Sequence, residues 1–115
     1  MRRLRDSFSN AFTGLLEMWK QERNLRIQFF VLAGSVAAGF ILQISPLEWV
    51  AVIVCGAAVL SAEMFNTALE ALADIVSPEY NYKVRFLKDV AAGAVLVMAI
   101  GAAAVGLLIF IPKIW

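Results

Sequence analysis

The chain has 115 residues, 62% of them hydrophobic and 17% charged, with a formal net charge of +1 and a mean hydropathy of +0.79. A soluble domain this small has no interior able to hide so much apolar surface, so the composition excludes one and implies an integral membrane protein. Histidine is absent and Cys55 is the sole cysteine, which excludes imidazole acid–base chemistry, histidine metal sites and a disulfide within the chain.

Arg2, Arg3 and Arg5 resemble the basic end of a signal peptide, but Asp6, Ser7, Ser9 and Asn10 interrupt the apolar segment that should follow, and no cleaved signal is expected. Residues 4–22 read as an amphipathic helix. Leu4, Phe8, Phe12, Leu15 and Trp19 recur at helical spacing, while Arg5, Asp6, Ser9, Asn10, Thr13 and Glu17 face elsewhere. Too polar to span a bilayer, this helix is expected to lie in the interface with its apolar face down. A polar hinge, Gln21 to Arg26, separates it from the run 27–44, about 27 Å as a helix and just sufficient to cross a core of roughly 30 Å.

Ser45-Pro46 stops that span and starts the next, with Glu48 and Trp49 marking the far interface. The helical pattern of residues 47–76 is about 45 Å long, more than the hydrocarbon thickness, so its last turns are expected to emerge. Ser77-Pro78 ends it, and a loop through Glu79, Tyr80, Asn81 and Tyr82 leads to a third span at 86–111, ending at Pro112 and Lys113. Gly93, Ala94, Gly101, Ala102, Ala103, Ala104 and Gly106 suit close helix packing in the membrane. The chain is therefore expected to form one all-α membrane domain, and because three spans make a thin bundle, an oligomer. Nine of the ten bases flank the first span's start or lie in the second loop, leaving Lys113 alone on the other side. That asymmetry puts the amino end and the second loop in the cytoplasm.

The polar content concentrates between residues 62 and 89, which hold five of the nine acids: Glu63, Glu70, Asp74, Glu79 and Asp89. At 100° per residue Glu63, Asn66, Glu70 and Asp74 fall at about 0°, −60°, −20° and +20°, one narrow stripe on an otherwise apolar helix. Carboxylates sharing a stripe repel one another unless cations or protons intervene. A solvated face suits Asp74, about 16 Å beyond Glu63 along the helix. It suits Glu63 badly, because an ionisable group at membrane depth is a functional candidate.

The cytoplasmic rim thus gathers acids at several depths, the amide Asn66, the Lys88-Asp89 pair and Glu22 at the hinge. Phosphoryl transfer asks for this combination: carboxylates hold a divalent metal, a lysine offsets phosphate charge, and a carboxylate takes the proton of an attacking hydroxyl. Glu63 lies at the depth of a lipid hydroxyl, and Glu70, one step outward, suits the metal. No P-loop sequence is present, so nucleotide binding would be of another type. For Lys88 and Asp89 the simpler alternative is an interfacial cation beside a helix-start acid.

The run Glu63, Asn66, Thr67, Ala68, Glu70, Ala71 and Asp74, followed by Lys88, Asp89, Ala91, Ala92, Gly93, Ala94 and Val95, resembles the signature of the small bacterial diacylglycerol kinases. Glu22-Arg23-Asn24 and Phe110-Ile111-Pro112-Lys113 look more like the undecaprenol kinases of Gram-positive bacteria within that family. The resemblance implies a homotrimer in the bacterial plasma membrane, with an interfacial helix, three spans per subunit and active sites shared between neighbours. It implies ATP as co-substrate, Mg²⁺ as cofactor and a lipid alcohol, undecaprenol or diacylglycerol, as acceptor; no nucleic acid is expected. Glu63 would be the general base and Asn66 an active-site polar group. Glu22 and Glu70 would bind the metal, and Lys88, Asp89, Glu79 and Asn81 the nucleotide. Two rivals stand beside this reading: a proton- or ion-relay subunit using Glu63, and a non-catalytic scaffold, which gives no reason for the polar stripe.

Overall fold

The computed structural model describes residues 2–115, with side chains from residue 3 onward. The described residues form four helices and no strand: α1 (Arg2–Gln21), α2 (Arg23–Leu42), α3 (Pro46–Val76) and α4 (Tyr82–Ile114). Three of them, α2, α3 and α4, are long and apolar enough to cross a membrane. The apolar face of α1 stays open at Leu4, Phe8, Phe12 and Leu16. Near its end it packs on α2, where the ring of Trp19 lies 5.3 Å edge-on from that of Phe29.

The expected six-residue hinge shrinks to Glu22 alone, which sits in extended conformation (φ −109°, ψ 109°) between two helices. Arg26 explains the economy. Its guanidinium donates to the carbonyls of Trp19 at 2.6 Å and Lys20 at 3.2 Å, filling acceptors left open by the end of α1 and placing a cation at that helix's negative pole. The polar residues 23–26 thus form the first turn of α2, which starts before the expected boundary at 27. This helix also stops earlier than the expected 44. Gln43 turns left-handed (φ 54°), the Ile44 N–H bonds back to the Gly39 carbonyl at 3.2 Å, and Ile44 drops into the core with Val52 and Ile109.

Ser45 and Glu48 close a reciprocal cap on α3: the Ser45 hydroxyl accepts from the Glu48 N–H at 3.2 Å, and the Glu48 carboxylate accepts from the Ser45 N–H at 2.9 Å. Asn81 caps α4 by accepting from Lys83 N–H at 2.9 Å, so this helix begins before residue 86. It also continues through Pro112 to Ile114 instead of ending at 111. A proline in the last turn removes a single backbone bond, while the Trp115 N–H closes on Ile111 at 2.9 Å and the Lys113 ammonium pairs with Glu48 at 3.1 Å.

The long helix α3 is the spine. It packs extensively on α4 and less on α2, whereas α2 and α4 barely touch. Gly56 allows the α2 approach, because a Cβ there would run into the Leu32 side chain. The core of Ile44, Val52 and Ile109, walled by Leu32, Leu42 and Trp49, lies at the Ser45 end. The opposite end of the α2–α3 seam carries polar residues.

Candidate active site

Two polar residues are buried among those described, and both lie on α3: Glu63, 5% exposed, and Asn66, 9% exposed. Helical spacing puts them a turn apart on one face, the face that α2 covers. Across the seam, Asn24 and Gln28 bring their amides into polar range of the Glu63 carboxylate, and the charges of Glu22 and Glu70 also reach it. Asn24 and Gln28 stand four residues apart on α2 and so share a stripe facing the α3 stripe. Glu22 joins them because the chain breaks helix at that residue.

Further out along α3, the Asn66 amide donates to a Glu70 carboxylate oxygen at 3.2 Å, which fixes the orientation of that carboxylate. Asp74, one turn beyond Glu70, binds the Lys88 ammonium and so joins α3 to the start of α4. None of the ion pairs among the described residues involves Glu22, Glu63 or Glu70: Arg85 pairs with Asp89, Lys88 with Asp74, and Lys113 with Glu48. Three carboxylates therefore converge on one seam without a protein cation. Such a group is costly unless a proton or a cation from outside offsets it.

Two acceptor atoms beside the carboxylates are buried without a hydrogen-bond partner, Asn66 Oδ1 and Gln28 Oε1. A buried acceptor left open costs about 1–3 kcal/mol unless a ligand fills it. The donor set, carboxylate and amide oxygens only, fits a hard divalent cation such as Mg²⁺, which takes one or two protein carboxylates and completes its shell with phosphate and water. No group of three or more Asp, Glu, His or Cys side chains arranged to hold a metal alone occurs among the described residues.

The expected site residues divide into two groups. Glu22, Glu63, Asn66 and Glu70 come together, and Lys88 stands one turn outward through Asp74. The other three have local roles in this chain. Asn81 is the α4 cap, Asp89 pairs with Arg85 on the same helix at 3.3 Å, and the Glu79 backbone carbonyl accepts from the Ser77 hydroxyl at 3.1 Å. Asn24 and Gln28 are the additions that sequence reading missed. The available signal was an amide at position 28 between Ile27 and Phe29, at the mouth of an apolar run and in register with Asn24.

Comparison with known proteins gives this arrangement a family. The family described as prokaryotic diacylglycerol kinase matches residues 9–110. The undecaprenol kinase of Bacillus subtilis is 33% identical over 108 residues, covering 94% of this chain and 88% of that protein. A diacylglycerol kinase of Synechocystis is 32% identical over 109 residues, covering 94% of this chain and 62% of that longer protein. With the match running over the amphipathic helix, the α2–α3 seam and nearly all of α4, the chain belongs to the prokaryotic diacylglycerol kinase family.

Proposed function

We propose that this protein transfers the γ-phosphoryl group of ATP to the hydroxyl of a membrane lipid alcohol, with Glu63 as the base. It is a lipid kinase by family. The observation that carries the residue-level reading is the buried Glu63–Asn66 pair at the seam, flanked by carboxylates without a protein cation.

In the reaction the lipid hydroxyl gives its proton to a Glu63 oxygen as its own oxygen attacks the γ-phosphorus. The new O–P bond forms as the bond to the β–γ bridging oxygen breaks, and ADP leaves. Glu63 sits among apolar helix faces, where a lipid hydroxyl reaches it and bulk water does so poorly. Glu22 and Glu70 would hold the divalent cation, with Asn66 keeping the Glu70 carboxylate turned. When bound, such a cation would supply positive charge to offset that of the phosphates. Lys88, held near the site by Asp74, supplies a cation on the side where the nucleotide enters. Asp89, Glu79 and Asn81 remain candidates for nucleotide contact from the loop that leads into α4. The site faces the cytoplasm, α1 lies in the interface, and the working unit is a homotrimer in the bacterial plasma membrane.

The relay alternative has less support: from Gln28 towards the far rim the groove between α2 and α4 is lined mostly by apolar residues such as Val52, Val105 and Phe110, with Ser35 and Cys55 and without a carboxylate or base.

The test is transfer of labelled phosphate from MgATP to undecaprenol and to diacylglycerol, offered separately in mixed micelles. Transfer to either, lost in Glu63→Gln, supports the reading. Preference for undecaprenol would put the protein in carrier-lipid recycling, and preference for diacylglycerol in glycerolipid turnover. Folded protein that phosphorylates neither would sink it.

A further inference from the structure

One polar side chain at the seam has no part in the reaction as drawn above. Gln28 stands on α2 between Ile27 and Phe29, at the mouth of an apolar run, where burying an amide brings no packing advantage over an apolar group of the same length. Its Oε1 is nevertheless buried, and no hydrogen bond reaches it. The same amide lies in polar range of the Glu63 carboxylate. Asn24 brings a second amide to Glu63, but that residue is exposed, so water can complete its hydrogen bonds. Glu63 itself is 5% exposed, and its partners have to come from the protein or the substrate.

Those partners differ between the two charge states of the carboxyl. As a carboxylate Glu63 only accepts, and a Gln28 N–H can donate to it. With the lipid proton on board it is a neutral acid with an O–H to place, and a buried O–H without an acceptor is costly. Two buried acceptors stand open beside it, Asn66 Oδ1 and Gln28 Oε1. The Asn66 amide is fixed by its bond to Glu70 at 3.2 Å and is not free to follow Glu63. Gln28 has no such second tie. A primary amide and a carboxylic acid pair through two hydrogen bonds, acid O–H to amide oxygen and amide N–H to acid oxygen, so one amide serves both states.

We propose that Gln28 is a positioning residue for the base: its N–H holds the Glu63 carboxylate before transfer, and its Oε1 accepts from the Glu63 O–H once the lipid proton has moved there. This rests on the kinase reading. The proton passes from the lipid hydroxyl to a Glu63 oxygen as the new O–P bond forms. Gln28 gains no proton, because an amide oxygen is far too weak a base, and departure of the phosphorylated lipid lets water carry the proton off Glu63. The acceptor open at rest is filled only as the reaction proceeds, so the interaction raises kcat and leaves ground-state binding alone. An amide also adds no charge to a seam that already gathers three carboxylates.

The experiment compares Gln28→Met and Gln28→His with wild type, using labelled phosphate transfer from MgATP to whichever of undecaprenol and diacylglycerol the wild type accepts. Thermal midpoints are measured in the same detergent. Met keeps the length of Gln without its N–H and carbonyl, whereas neutral His returns one N–H and one acceptor nitrogen. Gln28→Met should lower kcat about tenfold, with KM for ATP and for the lipid changed by less than about twofold. Its thermal midpoint should equal or exceed that of wild type, because an unfilled buried acceptor is gone. Gln28→His should recover kcat to within about threefold of wild type.

A kcat for Gln28→Met within about twofold of wild type would overturn the inference and leave the kinase standing. So would a loss of kcat accompanied by a lower midpoint and not recovered by His, which would make Gln28 a packing group. A raised KM for the lipid at unchanged kcat would overturn it as well, by assigning Gln28 to substrate binding. Wild-type protein that phosphorylates neither alcohol would instead remove the kinase reading beneath it.

Discussion

In the proposed reaction Glu63 is the base, and its isosteric amide separates a base from a packing group. Glu63→Gln keeps the size and polarity of a buried side chain but has no basic oxygen. It should reduce phosphate transfer by at least about a hundredfold with the protein still folded, as judged by gel filtration and circular dichroism. Activity within a few-fold of wild type would mean the base is elsewhere. Glu70 makes a different prediction, because Asn66 holds its carboxylate outward of Glu63 at 3.2 Å. Glu70→Gln should shift the Mg²⁺ concentration for half-maximal activity upward by about tenfold or more, since it removes one charged ligand. An unchanged Mg²⁺ titration would remove Glu70 from the metal role.

At the scale of elements, the helix ends are specified by few side chains. The Ser45–Glu48 reciprocal cap starts α3 directly after the left-handed turn at Gln43. Ser45→Ala should cost about 1 kcal/mol of stability, read as a lower thermal midpoint in detergent, with the rate per folded molecule unchanged because this cap lies at the end of α3 opposite Glu63. At the other end, Arg26 clasps the final carbonyls of α1 and so sets the angle at which Glu22 enters the seam. Arg26→Gln shortens the donor and removes the charge. The expected result is faster amide exchange across residues 17–22 and weaker Mg²⁺ dependence, with α3 and α4 unaltered. Exchange that stays at wild-type rates would mean the clasp does not hold this junction.

At the scale of the molecule, the proposed trimer is motivated by how much apolar surface one protomer leaves open. Few residues are buried, and Phe40, Ile41, Val97 and Leu108 are each more than 70% exposed on the faces of α2 and α4. Lipid covers part of such a surface, and the small residues of α4 suit a close helix partner for the rest. The expectation is a protein mass in detergent of three times 12.6 kDa by light scattering, after subtraction of the micelle. A mass of one chain would remove the trimer.

Much of the architecture was legible before any coordinates. Apolar run length and helical periodicity identified three helices fit to span and an amphipathic one before them. The stripe of Glu63, Asn66, Glu70 and Asp74 followed from spacing alone, because a helix places residues three and four apart on one face whatever surrounds it. Boundaries were less legible. A polar first turn, as at residues 23–26, has no apolar signature, and a proline near a helix end, as at Pro112, costs one bond that tertiary contacts outweigh. What periodicity cannot supply is what faces a given stripe. The tertiary structure alone brought Asn24 and Gln28 to Glu63, paired Lys88 with Asp74, tied Lys113 to Glu48 and left a groove between α2 and α4. Those pairings depend on how far one helix is rotated and slid against another. Side-chain volumes at the seam set that rotation, Gly56 under Leu32 foremost, and no single segment of the sequence contains it.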